Sequence, residues 1–276
     1  KIDGNEENAI PARFIFSFPP GVFADADTEV KYELSGTSTG NGPDYPEALT
    51  GSIIIPAGQQ SATLTLNTIN DDIVEGTETV VIDIVEINSP YSLPLGTNIT
   101  LNPTVPTLSI FDNDVATLTL SNPVILAEGN SGTTAFNYTV TLNKATSSSF
   151  TVNYNTSNNT ATIADNDYAT SSGTLNFNGV LNEVQNITVL VNGDQKLEAN
   201  ESFNLSLTTL NNNFSGRLTI PSPNTSGTIV NDDAANITIT KADGAEGGQN
   251  ARFIFTLDNG KTADQNLVIP YALTGT

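Results

Sequence analysis

Phe136-Asn137-Tyr138-Thr139-Val140-Thr141-Leu142-Asn143 alternates apolar and polar residues without a slip. A period of two puts Phe136, Tyr138, Val140 and Leu142 on one face and the Asn and Thr residues on the other, the mark of a half-buried strand. The same period runs through Thr151–Tyr154, Thr174–Phe177, Ile187–Val191 and Phe203–Leu207. Nearer the N-terminus it runs through Ile53–Ile55, Ala62–Leu66 and Val80–Ile84. Thr, Val, Ile and Phe suit a pleated surface, and Gly, Pro, Asn and Asp punctuate between the runs. No long stretch has a helical period. About seven short strands per copy predict an all-β chain of tandem immunoglobulin-like sandwiches, with antiparallel pairing favoured by the one wet face.

The copies declare themselves by repetition. Arg13-Phe14-Ile15-Phe16 returns as Arg252-Phe253-Ile254-Phe255, and Tyr32–Thr37 returns as Tyr271–Thr276, both 239 positions on. A middle copy halves that distance: Asp112-Asn113-Asp114 is answered by Asn231-Asp232-Asp233, 119 positions on. The expected units are 1–114, 115–233 and 234–276. The first lacks a counterpart of the opening strand Ile237–Thr240, and the third ends about a third of the way through. The chain reads as a window on a longer array.

Composition narrows the chemistry. Thirty Asp and Glu stand against nine Lys and Arg, a formal charge of -21, with no Cys, His, Met or Trp. This charge repels nucleic acid and anionic membrane surfaces and favours cations. Without thiols or imidazoles, nucleophile–base pairs and the usual zinc and copper ligand sets are excluded. No apolar run approaches the roughly 20 residues of a membrane helix. Carboxylate and carbonyl oxygens remain, which suit Ca²⁺ or, less well, Mg²⁺. Catalysis by paired carboxylates, as in glycoside hydrolysis, wants aromatic sugar platforms, and the aromatics here sit at core positions; the chain is read as not an enzyme.

The acids gather between strands, at four stations per copy. The first copy offers Glu6, then Asp44, then Asp71, Asp72, Glu75 and Glu78, then Asp112 and Asp114. The second offers Glu128, then Asp165 and Asp167, then Asp194, Glu198 and Glu201, then Asp232 and Asp233. Alternate strand ends of a sandwich share a pole, so distant stations can converge, and converged carboxylates need a counter-charge. Gly76 between Glu75 and Glu78 reads as a residue that lets the backbone turn tightly. The long segment Pro90–Pro106 reads as a surface loop, with Tyr91 and Leu93 as its candidate contact residues.

Glu128-Gly129, Asp167-Tyr168, Asp194 through Glu198 to Glu201, and Asn231-Asp232-Asp233 follow one another as in the Calx-beta repeat. Asp44-Tyr45, Asp71-Asp72 with Glu75 and Glu78, and Asp112-Asn113-Asp114 do so in the first copy. The chain resembles that family, which occurs in sodium–calcium exchangers, an integrin subunit and large bacterial surface proteins. The resemblance implies Ca²⁺ held by these acids at one end of each sandwich, beside the next repeat. Gly193 stands where the first copy has Asp71, so the second site is expected to be poorer in carboxylate. The resemblance further implies an extracellular, cell-surface stalk for adhesion, including gliding motility. Its partners would be neighbouring repeats and a protein or glycan ligand, with no nucleic acid and no membrane insertion. Regulatory Ca²⁺-sensor domains of a membrane exchanger, or accessory modules of a secreted hydrolase, are the alternatives.

Overall fold

A computed structural model describes residues 1–23, 25–40, 42–88, 106–258 and 261–274. Tyr91 and Leu93 lie outside the described residues. The only helical element among them is one 3₁₀ turn, Glu7–Ala9, and no helix is long and apolar enough to cross a membrane.

The first repeat contains β1 (Gly4–Asn5), β2 (Ala12–Ser17), β3 (Thr28–Gly36), β4 (Thr50–Ile55), β5 (Ser61–Leu66), β6 (Glu78–Asn88) and β7 (Thr107–Phe111). One sheet runs β1-β7-β6-β3-β4, and β2 pairs with β5 to form the other. The second repeat contains β8 (Ala116–Leu120), β9 (Val124–Ala127), β10 (Thr133–Leu142), β11 (Phe150–Asn158), β12 (Ser172–Phe177), β13 (Val184–Asn192), β14 (Lys196–Leu197), β15 (Glu201–Asn211), β16 (Leu218–Thr219) and β17 (Asn224–Val230). Its sheets run β13-β10-β8-β16 and β12-β11-β15-β17-β9. The C-terminal segment adds β18 (Ile237–Ala242), β19 (Arg252–Leu257) and β20 (Thr262–Ala263).

The alternation read from Phe136 onward is the face of β10: Phe136, Tyr138, Val140 and Leu142 are all fully buried. They meet the inward face of the other sheet across an aromatic centre. Phe203 of β15 packs 5.7 Å from the Phe136 ring and stacks on Tyr168 at 4.8 Å, and Phe150 stacks on Phe177 at 4.9 Å. Pairing is antiparallel along the long strands, as expected. The exceptions are short and sit at the edges. β1 runs parallel to β7, β9 to β17, and β16 to β8. Each comes from a chain that crosses between sheets without a hairpin, so its direction is set by where it arrives and not by a turn.

The repeats are joined by strand pairing as well as by the chain. The Val74 amide donates to the Ala145 carbonyl at 2.9 Å, and the Ser147 amide donates to the Val74 carbonyl at 3.0 Å. The Val74 side chain, wholly buried, belongs to the core of the second repeat. The next junction repeats the device: β14 runs parallel to β20, and the Asp264 amide donates to the Leu197 carbonyl at 3.1 Å.

Truncating the central ring tests this core. Phe203→Ala should lower the unfolding free energy of the second repeat by about 3–5 kcal/mol, measured by urea denaturation followed through tyrosine fluorescence.

Candidate metal centres

Among the described residues, four groups of three carboxylates stand at the sandwich poles. Within each, one oxygen per residue lies within 4.8 Å of the others: Glu6, Asp71 and Asp114; Asp44, Glu75 and Glu78; Glu128, Asp232 and Asp233; and Asp167, Glu198 and Glu201. The second and fourth are the same construction in two copies, since each of their acids recurs 123 positions on.

Local chemistry explains how each acid is aimed. Asp44 and Asp167 precede Tyr45 and Tyr168, both buried to 1% exposure or less. The ring plugs the core, and its neighbour in an extended chain must face the pole. The Asp167 Oδ2 accepts the Thr162 amide at 2.6 Å; the Asp44 Oδ2 accepts the Thr39 amide and the Ser38 hydroxyl. Glu78 and Glu201 open β6 and β15, so their backbones are fixed by the central sheet. Asp112 works as a brace: its Oδ2 accepts the Glu75 amide at 2.8 Å and its Oδ1 the Asp114 amide at 2.6 Å. Glu128 is anchored through its carbonyl, which accepts the Thr134 hydroxyl at 2.7 Å.

Four acids singled out from the sequence stand outside these groups. Asp112 is buried and spends its oxygens on the backbone. The Asp72 side chain is 96% exposed and bonds Lys144. Asp165 is exposed and exchanges hydrogen bonds with the Thr162 hydroxyl; Asp194 is exposed and accepts the Lys196 amide.

Two glycines differ from their sequence reading. Gly76 does not adopt a left-handed turn; the Asn213 carbonyl of the second repeat lies 2.7 Å from where its Cβ would be, so the residue admits the neighbour. Gly193 does not take the place of Asp71: Asp71 Oδ1 accepts the Ile73 amide as Asp194 Oδ1 accepts the Lys196 amide, so Asp194, 123 positions on, is its counterpart, and Gly193 has the Gly129 carbonyl 2.2 Å from a Cβ. No carboxylate fits there.

The electrostatics are those of crowded anions. Burial, then the charges of Asp112, Glu75, Asp71 and Asp44, pushes Glu6 up to about 8. Burial and Asp44 push Glu75 up to about 7, and burial with Glu198 and Asp194 pushes Glu128 up to about 7. Burial also raises Glu78 and Glu201 beside their aspartate partners. Glu6 feels Asp44 and Glu75, and Glu128 feels Glu198, so the two groups of each repeat adjoin.

Whether these residues suit a hard divalent ion is decided by their oxygens. Glu6 Oε2, Asp114 Oδ2, Glu78 Oε2, Glu128 Oε1 and Asp233 Oδ2 are buried with no hydrogen-bond partner. Such orphans are costly unless a cation takes them. Oxygens on opposite sides of a Ca²⁺ lie about 4.6–5.2 Å apart, since each bond is about 2.3–2.6 Å. Oxygens that lie within 4.8 Å of one another can share one such ion, and the mixed carboxylate and carbonyl surroundings suit Ca²⁺ better than Mg²⁺, which keeps its waters.

The family profile described as Calx-beta domain matches residues 22–114 and 111–243. This chain belongs to the Calx-beta domain family. Among solved structures it is similar to the apo-form Calx CBD1 domain, at 20% identity over 44% of this chain and 100% of that one, TM-score 0.37. It is similar to CBD12 from CALX1.2, at 16% identity over 83% and 96%, TM-score 0.34. It is also similar to the calcium binding domain CBD12 of CALX1.1, at 17% identity over 82% and 97%, TM-score 0.33. A search of curated proteins finds no match.

Basic residues at the Calx-beta poles are what sequence reasoning missed. Lys144 of the second repeat bonds Asp114 and Asp72 of the first, and Arg217 lies 3.6 Å from Asp112. Lys261 bonds Asp233 at 2.6 Å, and Lys196 bonds Glu198 at 2.5 Å. The available signal was Lys144 and Lys261 recurring 117 positions apart in a chain with nine Lys and Arg.

The raised glutamates set a pH dependence. Their folded values of about 7 to 8 exceed the ordinary 4.5, so without a cation the fold favours the protonated form. That contribution is whole below the unfolded value and is lost as pH rises through the folded values. In chelator, the denaturation midpoint should therefore fall from about pH 5 to about pH 8, and Ca²⁺ should flatten the fall. Calorimetry at neutral pH in buffers of different ionisation enthalpy should show protons released as Ca²⁺ binds.

Proposed function

We propose that the chain is a Ca²⁺-stiffened segment of tandem repeats, serving as the stalk of a cell-surface adhesin. The observation that carries this is that both junctions are built alike. The segment leading into the Glu75 and Glu198 positions pairs in parallel with the turn region of the following unit, beside the carboxylate groups. Ca²⁺ would be held by Glu6, Asp71 and Asp114, by Asp44, Glu75 and Glu78, and by Glu128, Asp232 and Asp233. It supplies the positive charge that buried carboxylates lack, and so removes the repulsion that would open the joint.

The stalk role is supported by the continuation of the same junction into a third unit, which suits an array better than a two-domain sensor. The adhesive ligand, protein or glycan, would be presented by the array. A regulatory sensor would instead change its inter-repeat angle on binding.

Thermal melting and small-angle scattering separate these readings. At a hundredfold excess over Kd, Ca²⁺ should stabilise by roughly 2.7 kcal/mol for each independent site. The maximum dimension should stay constant while its distribution narrows. A large Ca²⁺-dependent change in that dimension would favour the sensor, and a melting temperature indifferent to chelator would sink both. Glu75→Gln with Glu78→Gln should remove a large part of the Ca²⁺-dependent rise.

A further inference from the structure

The fourth carboxylate group departs from the other three. Glu6, Glu78 and Glu128 each carry a buried oxygen without a partner in their groups; among the described residues Asp167, Glu198 and Glu201 carry none. Lys144 and Lys261 reach Asp114 and Asp233 from the following unit, yet an oxygen of each stays unpartnered; the fourth group instead holds Lys196, from the same segment as its glutamate. The Lys196 ammonium lies 2.5 Å from Glu198 Oε1 and 3.0 Å from Asp264 Oδ1, and its backbone amide is held by Asp194 Oδ1 at 2.7 Å. Glu198 keeps only 7% of its side chain exposed, so the carboxylate end of this pair is sheltered from water.

The first repeat shows what stands there otherwise. Counting back two positions from the matched glutamates, Lys196 replaces Ile73. Across the junction, Asp264 and Ser147 make the matching amide bonds to Leu197 and Val74. Ile73 and Ser147 hold these positions at one junction, and at the next Lys196 and Asp264 hold them and form an ion pair. A Ca²⁺ bound to the Glu198 oxygen would sit within about 5 Å of that ammonium, given ordinary Ca²⁺–oxygen distances. It would meet direct like-charge repulsion and one ligand fewer.

We infer that the Lys196 ammonium stands in for a metal ion in the Asp167, Glu198 and Glu201 group. The second repeat then loads fewer Ca²⁺ than the first, and its junction to the following unit is locked by an internal cation that chelator cannot remove. This rests on the Ca²⁺ reading of the other groups.

Native mass spectrometry of the full chain in saturating Ca²⁺ counts the ions, with circular dichroism confirming that each variant is folded. Lys196→Ile should bind one Ca²⁺ more than the wild-type chain, and Ile73→Lys in the first repeat one fewer. Equal counts in wild type and Lys196→Ile would overturn the inference while leaving the Ca²⁺ reading intact. No Ca²⁺ on any chain would overturn both. Should Lys196→Ile fail to fold, Ile73→Lys decides alone: loss of one ion supports the substitution, and an unchanged count overturns it.

Discussion

Carboxylates that share a buried pole cannot all be charged unless a cation sits among them. Much of this chain is arranged around that requirement. The long strands supply rigid mounts, so that Glu78 and Glu201 start where β6 and β15 start. The tyrosines after Asp44 and Asp167 convert core packing into aim. The result is a pair of anionic sites per repeat whose field is steep because water is largely excluded and because each group feels the other.

Three kinds of answer to that field are open to these groups. Protonation is one, visible in the glutamates held near 7 to 8. An ammonium is the second, reaching across from the following unit as Lys144 and Lys261 do onto Asp114 and Asp233. A divalent ion is the third, and the best matched to several orphaned oxygens at once, because one ion can satisfy them all where an ammonium has three donors. The answers draw on the same carboxylates, so a bound Ca²⁺ would be thermodynamically linked to the protons and lysines there.

The strands were legible because each buries one face, and burial imposes a period of two that survives translation into letters: Phe136 to Leu142 is the plainest case. The parallel edge pairings of β9 and β16 were not legible. Nothing in Val124–Ala127 or Leu218–Thr219 encodes direction; it follows from where a crossing chain lands. The site was legible as stations but not as ligands. Asp71 and Asp72 are equal as letters, yet neighbours in an extended chain point opposite ways, and only Asp71 faces the group. Lys144 and Lys261 were harder still, since they come from the next unit and their meaning exists only once two units are placed together.

The closing triplet shows why charge and architecture are coupled. Asp112 braces the Glu75 and Asp114 amides, Asp114 belongs to a carboxylate group, and Ala116, two residues on, is the fully buried start of β8. Binding site and linker are therefore the same few residues. Val74 extends the coupling from the other side, because it immediately precedes Glu75 and is buried in the core of the second repeat. Cations that held Asp114 in one group and Glu75 in the adjoining one would restrain two strands of attachment at once. On the proposed reading, stiffness at such a junction would depend on ion occupancy more than on linker length.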